Sequence, residues 1–160
     1  MALENFASMI PAQDELAIRN LAARFTDAVS KRDFDTWRSL WTDDCHWYIG
    51  NRAVDGADNA VAFVSAAMER YSWFLMMAVS GQVFESDGEV RGIWYVLEYQ
   101  GTPTEITQIF GTYEDVYAKV DGEWKFARRV FQSSYRGPLA PGQTAPVIAG
   151  GNVTLMRLSE

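Results

Sequence analysis

One acidic residue, Glu98, lies in a run of the sequence that is otherwise apolar, IWYVLEY over residues 93–99. Aromatic and β-branched residues in such a run predict a strand that is buried on both faces. A carboxyl group in an apolar cavity has a raised pKa, because burial disfavours its charged form, and it can then act as a general acid or base. The alternative is that Glu98 lies near the strand end, where it meets solvent or pairs with an arginine.

Two further side chains, Arg129 and Tyr113, could stabilise negative charge on a substrate. Arg128 and Arg129 are neighbours on a predicted strand, so they must point to opposite faces, and we expect one of them to face inward. Arg129 could bind a substrate oxygen, pair with Glu98 or form a buried structural ion pair. Tyr113 could donate its hydroxyl to an oxyanion or simply fill space.

The chain has one histidine, His46, and one cysteine, Cys45. The ordinary pKa of histidine suits a general base. Neighbouring residues of a strand face apart, however, so Cys45 and His46 cannot form a nucleophilic dyad, and if Trp47 points inward then His46 points outward. One histidine and one cysteine are also too few for a zinc site, so we expect no metal.

A long hairpin over residues 105–135 has to position Tyr113 and Arg129. Its two arms are rich in β-branched and aromatic residues and flank Asp121-Gly122, a dipeptide typical of a tight hairpin turn. The spacing of apolar residues before it predicts three helices, over residues 13–31, after the capping residue Asp33 as far as Thr42-Asp43-Asp44, and over residues 57–70. It also predicts strands over residues 45–49, 73–85 with a bend at Ser80-Gly81, and 90–99 after a turn at Asp87-Gly88.

The composition indicates one globular domain. At 160 residues, with 48% hydrophobic and 14% aromatic residues, the chain can bury a sizeable core. No apolar run approaches the roughly 20 residues of a membrane span, no signal peptide is visible, and the net charge of -7 argues against nucleic acid as a partner. A single cysteine cannot form an intrachain disulfide, so we expect a cytoplasmic protein without a membrane partner.

The order of the elements predicts an α+β fold, in which helices pack on one face of a curved antiparallel sheet. The segments RFTDAVSKRDFDTWRSLWTDDCHWYI and DGEWKFARRVF resemble the SnoaL-like branch of the NTF2-like (cystatin-like cone) superfamily, and the resemblance covers residues 14–141. It implies an NTF2-like cone, with three N-terminal helices packed on a curved mixed or antiparallel sheet that encloses a hydrophobic cavity. It also implies one domain over residues 1–160, in which residues 137–160 form an extension that covers the cavity or a subunit interface.

The resemblance implies chemistry without a cofactor, in which a base and hydrogen-bond donors act on a hydrophobic substrate. Lyases of the hexachlorocyclohexane dehydrochlorinase and scytalone dehydratase types belong to this superfamily. The dehydrochlorinase type uses an Asp–His dyad, with the aspartate at the end of the first helix and the histidine on the strand after the third. The matching positions here are Ser30 and Leu75, which cannot act as that base, so we do not expect this route.

The resemblance also implies which side chains line the cavity. In the phase of the family, Glu98 and Gln100 point inward, and Arg129 coincides with an arginine of the cavity wall. The apolar candidates could equally belong to the core, but the small residues Gly92 and Gly111 leave room for a planar or cyclic ligand. The expected substrate-binding residues are Trp47, Trp94, Ser30, Leu75, Met77, Ile109 and Phe131.

These observations favour a cofactor-independent lyase that acts on a hydrophobic, aromatic small molecule by dehydration, elimination or retro-aldol release of formaldehyde. Glu98 would move the proton, while Arg129 and Tyr113 would hold the oxygen that gains charge. The alternatives are an isomerase, a small-molecule-binding protein without turnover, and the small subunit of an aromatic-ring dioxygenase. The resemblance and the apolar tail over residues 145–158 also imply a homodimer or homotrimer.

Overall fold

The computed structural model describes residues 10–138 and contains three helices in this range. They are α1 (Ala12–Lys31), α2 (Phe34–Ser39) and α3 (Ala57–Met68). The carboxylate of Asp33 caps α2 by accepting a hydrogen bond from the backbone N–H of Thr36 at 3.0 Å, as its position in the sequence predicts. None of these helices is both long and apolar enough to span a membrane.

Six strands in residues 10–138 form one mixed sheet. They are β1 (Trp41–Ile49), β2 (Arg52–Asp55), β3 (Trp73–Ser86), β4 (Glu89–Gly101), β5 (Ile106–Val120) and β6 (Glu123–Pro138). The strand order is β2-β1-β6-β5-β4-β3, and only the β1–β6 pair is parallel. The α+β fold with a mixed sheet is confirmed. The short strand β2 is missing from the sequence prediction, and Thr42-Asp43-Asp44, expected to end a helix, lies in β1.

Tight turns join the long strands where the sequence predicts them. Asp121 and Gly122 have φ values of 50° and 84°, and Asp87 and Gly88 have φ values of 56° and 76°. Both central residues of a type I′ turn need positive φ, which glycine adopts without strain and aspartate tolerates. These two hairpins hold β3 to β6 in a continuous antiparallel array.

Irregularities in the register decide which side chains face the helices. On β5, the adjacent residues Val116 and Tyr117 pair with Arg128 and Phe126 of β6, which leaves Ala127 without a partner. In the same way, the adjacent residues Gly111 and Phe110 pair with Ser133 and Tyr135, which leaves out Ser134. Strand β6 therefore carries one extra residue at each of two bulges, at Ala127 and at Ser134, and each extra residue reverses the alternation of its side chains. A third bulge lies in β3 between Ala78 and Ser80, close to the predicted bend.

The core lies between α1 and the sheet. The buried face of α1 presents Ile18, Leu21, Phe25 and Val29 to the strands. The ring of Phe25 lies 5.4 Å from that of Trp37, 5.9 Å from that of Trp41 and 5.5 Å from that of Phe126 (centroid distances). The expected C-terminal extension lies outside the described residues except for Gly137 and Pro138.

Candidate active site

A cavity of about 210 Å³ lies next to this aromatic cluster, between the helices and the inner face of the sheet. Its wall is mostly apolar and aromatic, with a few polar side chains. The apolar and aromatic lining residues are Phe25, Val29, Trp37, Trp47, Ile49, Phe63, Val64, Ala67, Met68, Tyr71, Phe74, Met76, Ile109, Tyr113 and Phe131, and the other lining residues are Arg70, Glu98, Gln100 and Arg136.

Glu98 faces this cavity from β4, as the sequence predicts, and only 5% of its surface is exposed. Burial raises the pKa of Glu98 to about 7, because the apolar surroundings disfavour its charged form. The amide of Gln100 and the charge of Arg136 act in the opposite direction. Glu98 is therefore a carboxyl group that is part acid and part carboxylate at neutral pH.

A chain of hydrogen bonds links Glu98 to the exposed rim of the cavity. The guanidinium of Arg136 donates from Nη2 to Oε1 of Gln100 at 3.1 Å, and Nε2 of Gln100 lies 3.5 Å from Oε2 of Glu98. Glu98 pairs with Ile109 on β5, and Ile109 pairs with Arg136 on β6, so the three residues form one row across the sheet. The guanidinium near Glu98 is thus that of Arg136, which the sequence analysis missed.

Tyr113 also lines the cavity and is almost completely buried. Its ring centroid lies 5.0 Å from that of Phe131 and 5.8 Å from that of Phe25. Burial raises the pKa of Tyr113 well above its ordinary value, and the nearby Glu98 adds to this effect. The hydroxyl of Tyr113 therefore stays protonated at neutral pH and can act as a hydrogen-bond donor.

Arg129 does not lie among the residues that line the cavity, which corrects its expected place in the wall beside Glu98. Its Nε and Nη2 donate to Asp115 at 2.7 and 2.9 Å, and only 2% of Arg129 is exposed. The guanidinium carbon lies 4.0–4.1 Å from the ring centroids of Phe25, Tyr113 and Phe126. Of the alternatives from the sequence, the geometry favours the buried structural ion pair.

Trp94 belongs to the same buried network and not to the cavity wall, which corrects its expected role in substrate binding. Its indole N–H donates to the hydroxyl of Tyr117 at 2.7 Å, and that hydroxyl donates to Asp115 at 2.8 Å. The ring of Trp94 covers the position where a side chain at Gly81 would stand. Trp94 therefore packs over Gly81 of β3, with the guanidinium carbon of Arg19 on α1 5.8 Å from its ring centroid.

Three other expected substrate-binding residues are also misplaced. Leu75 and Met77 are 41% and 38% exposed, because they point to the outer face of β3. Their neighbours Phe74 and Met76 line the cavity instead. Ser30 is not part of the wall; its hydroxyl accepts a hydrogen bond from the backbone N–H of Met76 at 3.0 Å and so ties the end of α1 to β3.

The remaining expected wall residues, Trp47, Ile109 and Phe131, do line the cavity. Trp47 alternates with His46, whose Nδ1 lies 2.6 Å from Oδ1 of Asp55 on the exposed side of the sheet. Burial raises the pKa of Cys45 to about 11, so its thiol is not a nucleophile at neutral pH. Among residues 10–138, no three histidine, cysteine, aspartate or glutamate side chains are grouped as metal ligands.

The family model of the SnoaL-like domain matches residues 11–130, and the chain belongs to the SnoaL-like family. Gamma-hexachlorocyclohexane dehydrochlorinase of Sphingobium indicum is 31% identical over 141 residues, which make up 81% of this chain and 86% of that protein. The family therefore includes lyases.

Solved structures agree with this assignment. Hexachlorocyclohexane dehydrochlorinase LinA-type3 from Novosphingobium barchaimii has a TM-score of 0.72 at 26% identity and covers 82% of this chain and 93% of that one. A scytalone dehydratase-like protein from Novosphingobium aromaticivorans has a TM-score of 0.71 at 21% identity, with 85% and 93% covered, and shows the fold alone. A protein from Nostoc punctiforme with a cystatin-like fold has a TM-score of 0.68 at 17% identity and covers 82% of this chain and 97% of that one, so it too shows the fold alone.

Proposed function

We propose that this protein is a cofactor-independent lyase for a hydrophobic, aromatic small molecule, and that Glu98 moves the proton. The main support is the raised pKa of Glu98, about 7, inside a cavity with mostly apolar walls. An acid–base catalyst works best when its pKa is close to the working pH, since both of its protonation states are then populated. The lyases of the SnoaL-like family support the same class of reaction.

The proposed elimination uses both forms of Glu98. Its carboxylate takes a proton from a carbon of the substrate, and the electron pair of that C–H bond forms the new double bond. The bond to the leaving group then breaks; in a dehydration the protonated Glu98 returns its proton to the departing hydroxyl, which leaves as water. In a retro-aldol release of formaldehyde, the carboxylate would instead take the proton of a hydroxymethyl group, whose O–H electron pair forms the C=O bond of formaldehyde. The C–C bond then breaks, its electron pair forms an enolate, and the protonated Glu98 returns the proton to the enolate carbon.

Tyr113 would hold the oxygen that gains charge in these reactions. Its hydroxyl keeps its proton because burial raises the pKa of Tyr113 well above the ordinary value. A donor that is already fixed in an apolar site stabilises a developing oxyanion more strongly than water does. Arg129 has no such role in this proposal, because both of its hydrogen bonds in residues 10–138 are to Asp115.

The substitution Glu98→Gln tests the proposal. Aromatic compounds with a hydroxyl group β to a carbonyl would be screened for the ultraviolet band of the new conjugated double bond. We expect Glu98→Gln to lower kcat by about 10²- to 10⁴-fold with a small change in affinity. Glu114→Gln, on the exposed face of β5, is the matched control. Unchanged turnover in Glu98→Gln would overturn the proposed role.

A ligand-binding protein without turnover is the second candidate. Its support comes from Ser30, which stands where the dehydrochlorinase type has the aspartate of its Asp–His dyad. The hydroxyl of Ser30 accepts a hydrogen bond from the backbone N–H of Met76. This alternative predicts that the wild type and Glu98→Gln bind the same aromatic ligands with equal affinity and that neither forms a product. An isomerase would instead convert its substrate into a product of the same mass, which mass spectrometry would reveal.

We also propose that the chain assembles with copies of itself. The outer face of the sheet exposes Leu75, Met77 and Tyr95, an apolar surface suited to burial in a homodimer or homotrimer. Analytical ultracentrifugation of the wild type and of Met77→Lys would test this, and a monomeric wild type would refute it. A dioxygenase small subunit, in contrast, would be inert when purified alone.

A further inference from the structure

The charges around the cavity differ from those of the whole chain. The chain carries a net charge of -7. Within residues 10–138, however, the charged side chains that line the cavity are two guanidinium groups, Arg70 and Arg136, and one carboxyl group, Glu98. Because Glu98 is only partly ionised at neutral pH, the cavity is locally positive in an acidic protein. Such a cavity favours an anionic ligand over a neutral one.

Arg136 has donors available for such an anion. Arginines such as Arg38, Arg91 and Arg129 form ion pairs with carboxylates of the described part of the chain. Arg136 forms no ion pair within residues 10–138, and the one hydrogen bond of its guanidinium group there is to the neutral amide of Gln100. A guanidinium group has five N–H donors in a planar fork, which matches the two oxygens of a carboxylate.

The size of the cavity limits the rest of the ligand. A cavity of about 150 Å³ accepts benzene, so the cavity of about 210 Å³ has room for one aromatic ring and a short side chain. Rings such as Trp47, Phe63 and Phe131 form its walls. An aromatic ring held by these walls would direct its side chain towards the polar residues.

The row from Glu98 through Ile109 to Arg136 sets the distance between the catalytic carboxyl group and the guanidinium group. Adjacent strands lie about 4.8 Å apart, so the backbones of β4 and β6 are about 10 Å apart along this row. Gln100 fills part of the interval and hydrogen-bonds to the side chains at both ends. Because Gln100 bridges these two side chains, the side-chain carbons of a ligand whose carboxylate is bound at Arg136 would extend towards Glu98.

We propose that the substrate is an arylalkanoic acid, with one aromatic ring and a short side chain ending in a carboxylate, and that Arg136 binds this carboxylate. Arg70 adds a second positive charge to the cavity. The inference rests on the proposed function only in taking this cavity as the substrate site. It makes Arg136 the residue that selects acids over uncharged compounds of the same shape.

The test compares 3-phenylpropanoate with 3-phenylpropanamide, which has the same shape without the charge. Isothermal titration calorimetry with the full chain is expected to show at least about 10-fold tighter binding of the acid, and weaker binding of the acid at higher salt. Arg136→Gln is expected to lower the affinity for the acid by about 10- to 100-fold and the affinity for the amide by less than about threefold. Arg136→Lys should keep part of the preference.

Arg128→Gln is the matched control, because Arg128 is exposed on the same strand and its guanidinium lies 5.4 Å from the ring centroid of Tyr48; the preference for the acid should not change. Far-ultraviolet circular dichroism would check that each variant is folded. Equal affinities for acid and amide, an acid preference that survives Arg136→Gln, or no binding of either compound would overturn the inference. The calorimetric assay measures binding only, so a negative result there would overturn the arylalkanoic acid and leave the lyase proposal standing. The lyase proposal would be refuted by a different result, namely unchanged turnover in Glu98→Gln.

Discussion

Replacing Glu98 with glutamine should change how the stability of the protein depends on pH. In the folded protein burial raises the pKa of Glu98 from 4.5 to about 7, so the folded state holds this proton more tightly than the unfolded state does. As the pH rises from 4.5 to 7, the unfolded state loses the proton first, and the free energy of unfolding of the wild type falls. Above pH 7 the whole stabilising contribution of protonated Glu98 is lost.

The size of this effect follows from the two pKa values. One pH unit corresponds to about 1.4 kcal/mol, so the wild type loses about 3 kcal/mol between pH 4.5 and pH 8 through this group alone. Glu98→Gln has no proton to lose at this position. We therefore expect the variant to gain about 3 kcal/mol relative to the wild type over the same range, on top of any pH-independent difference.

Urea denaturation followed by tryptophan fluorescence would measure both proteins at pH 5, 6, 7 and 8. Taking the difference between the proteins at each pH removes the contribution of titrating groups that they share. Glu114→Gln is the control, because it makes the same change of carboxyl to amide at an exposed position of β5. If the wild type and Glu98→Gln gave parallel curves over this range, Glu98 would not be a buried acid and the reasoning would be wrong.

Three other substitutions test the surroundings of the cavity. Asp115→Asn should lower the free energy of unfolding by about 3–5 kcal/mol in urea, since it leaves the guanidinium of Arg129 buried without its carboxylate. Gly81→Ala should lower it by about 1–3 kcal/mol, because the new Cβ would overlap the ring of Trp94. Ser30→Ala should cost about 1 kcal/mol in the same assay, since a backbone N–H of β3 loses its acceptor.

Each of these three predictions has a control and an outcome that would contradict it. Arg128→Ala, on the exposed face of the same strand as Arg129, should change stability by less than about 0.5 kcal/mol. An Asp115→Asn variant as stable as this control would mean that the ion pair is not buried. A Gly81→Ala variant with wild-type stability would place the ring of Trp94 elsewhere. A Ser30→Ala variant with the same free energy of unfolding as the wild type would mean that the hydroxyl of Ser30 does not stabilise the contact between α1 and β3.

The main hairpin could be predicted because local chemistry determines it, and the inward position of Glu98 could be predicted from the phase that the SnoaL-like resemblance implies. Asp121-Gly122 favours positive φ at two consecutive positions, which is what a tight turn requires. Glu98 lies on β4, whose pairing with β5 is regular from Val90 to Gly101, so the phase that the resemblance implies holds along the whole strand. The order of the predicted helices and strands is enough to predict the α+β class.

Three residues of the cavity wall, Phe74, Met76 and Arg136, were missed for two physical reasons. The run WFLMM is apolar on both faces, so alternation cannot tell that Met76 faces inward and Leu75 outward. The bulge at Ser134 reverses the alternation in β6, so Arg136 faces inward although Arg129 and Phe131 do so at odd positions. A bulge depends on pairing with another strand, and the sequence of β6 alone gives no sign of it.

The most direct test of the central claim is to titrate the side-chain carboxyl carbon of Glu98 by nuclear magnetic resonance. The arrangement of Glu98, Gln100 and Arg136 predicts a midpoint near pH 7 in the wild type, and a higher midpoint in Arg136→Gln, where a positive charge that lowers the pKa of Glu98 is removed. A midpoint near the ordinary value of 4.5 that does not respond to Arg136→Gln would contradict the account.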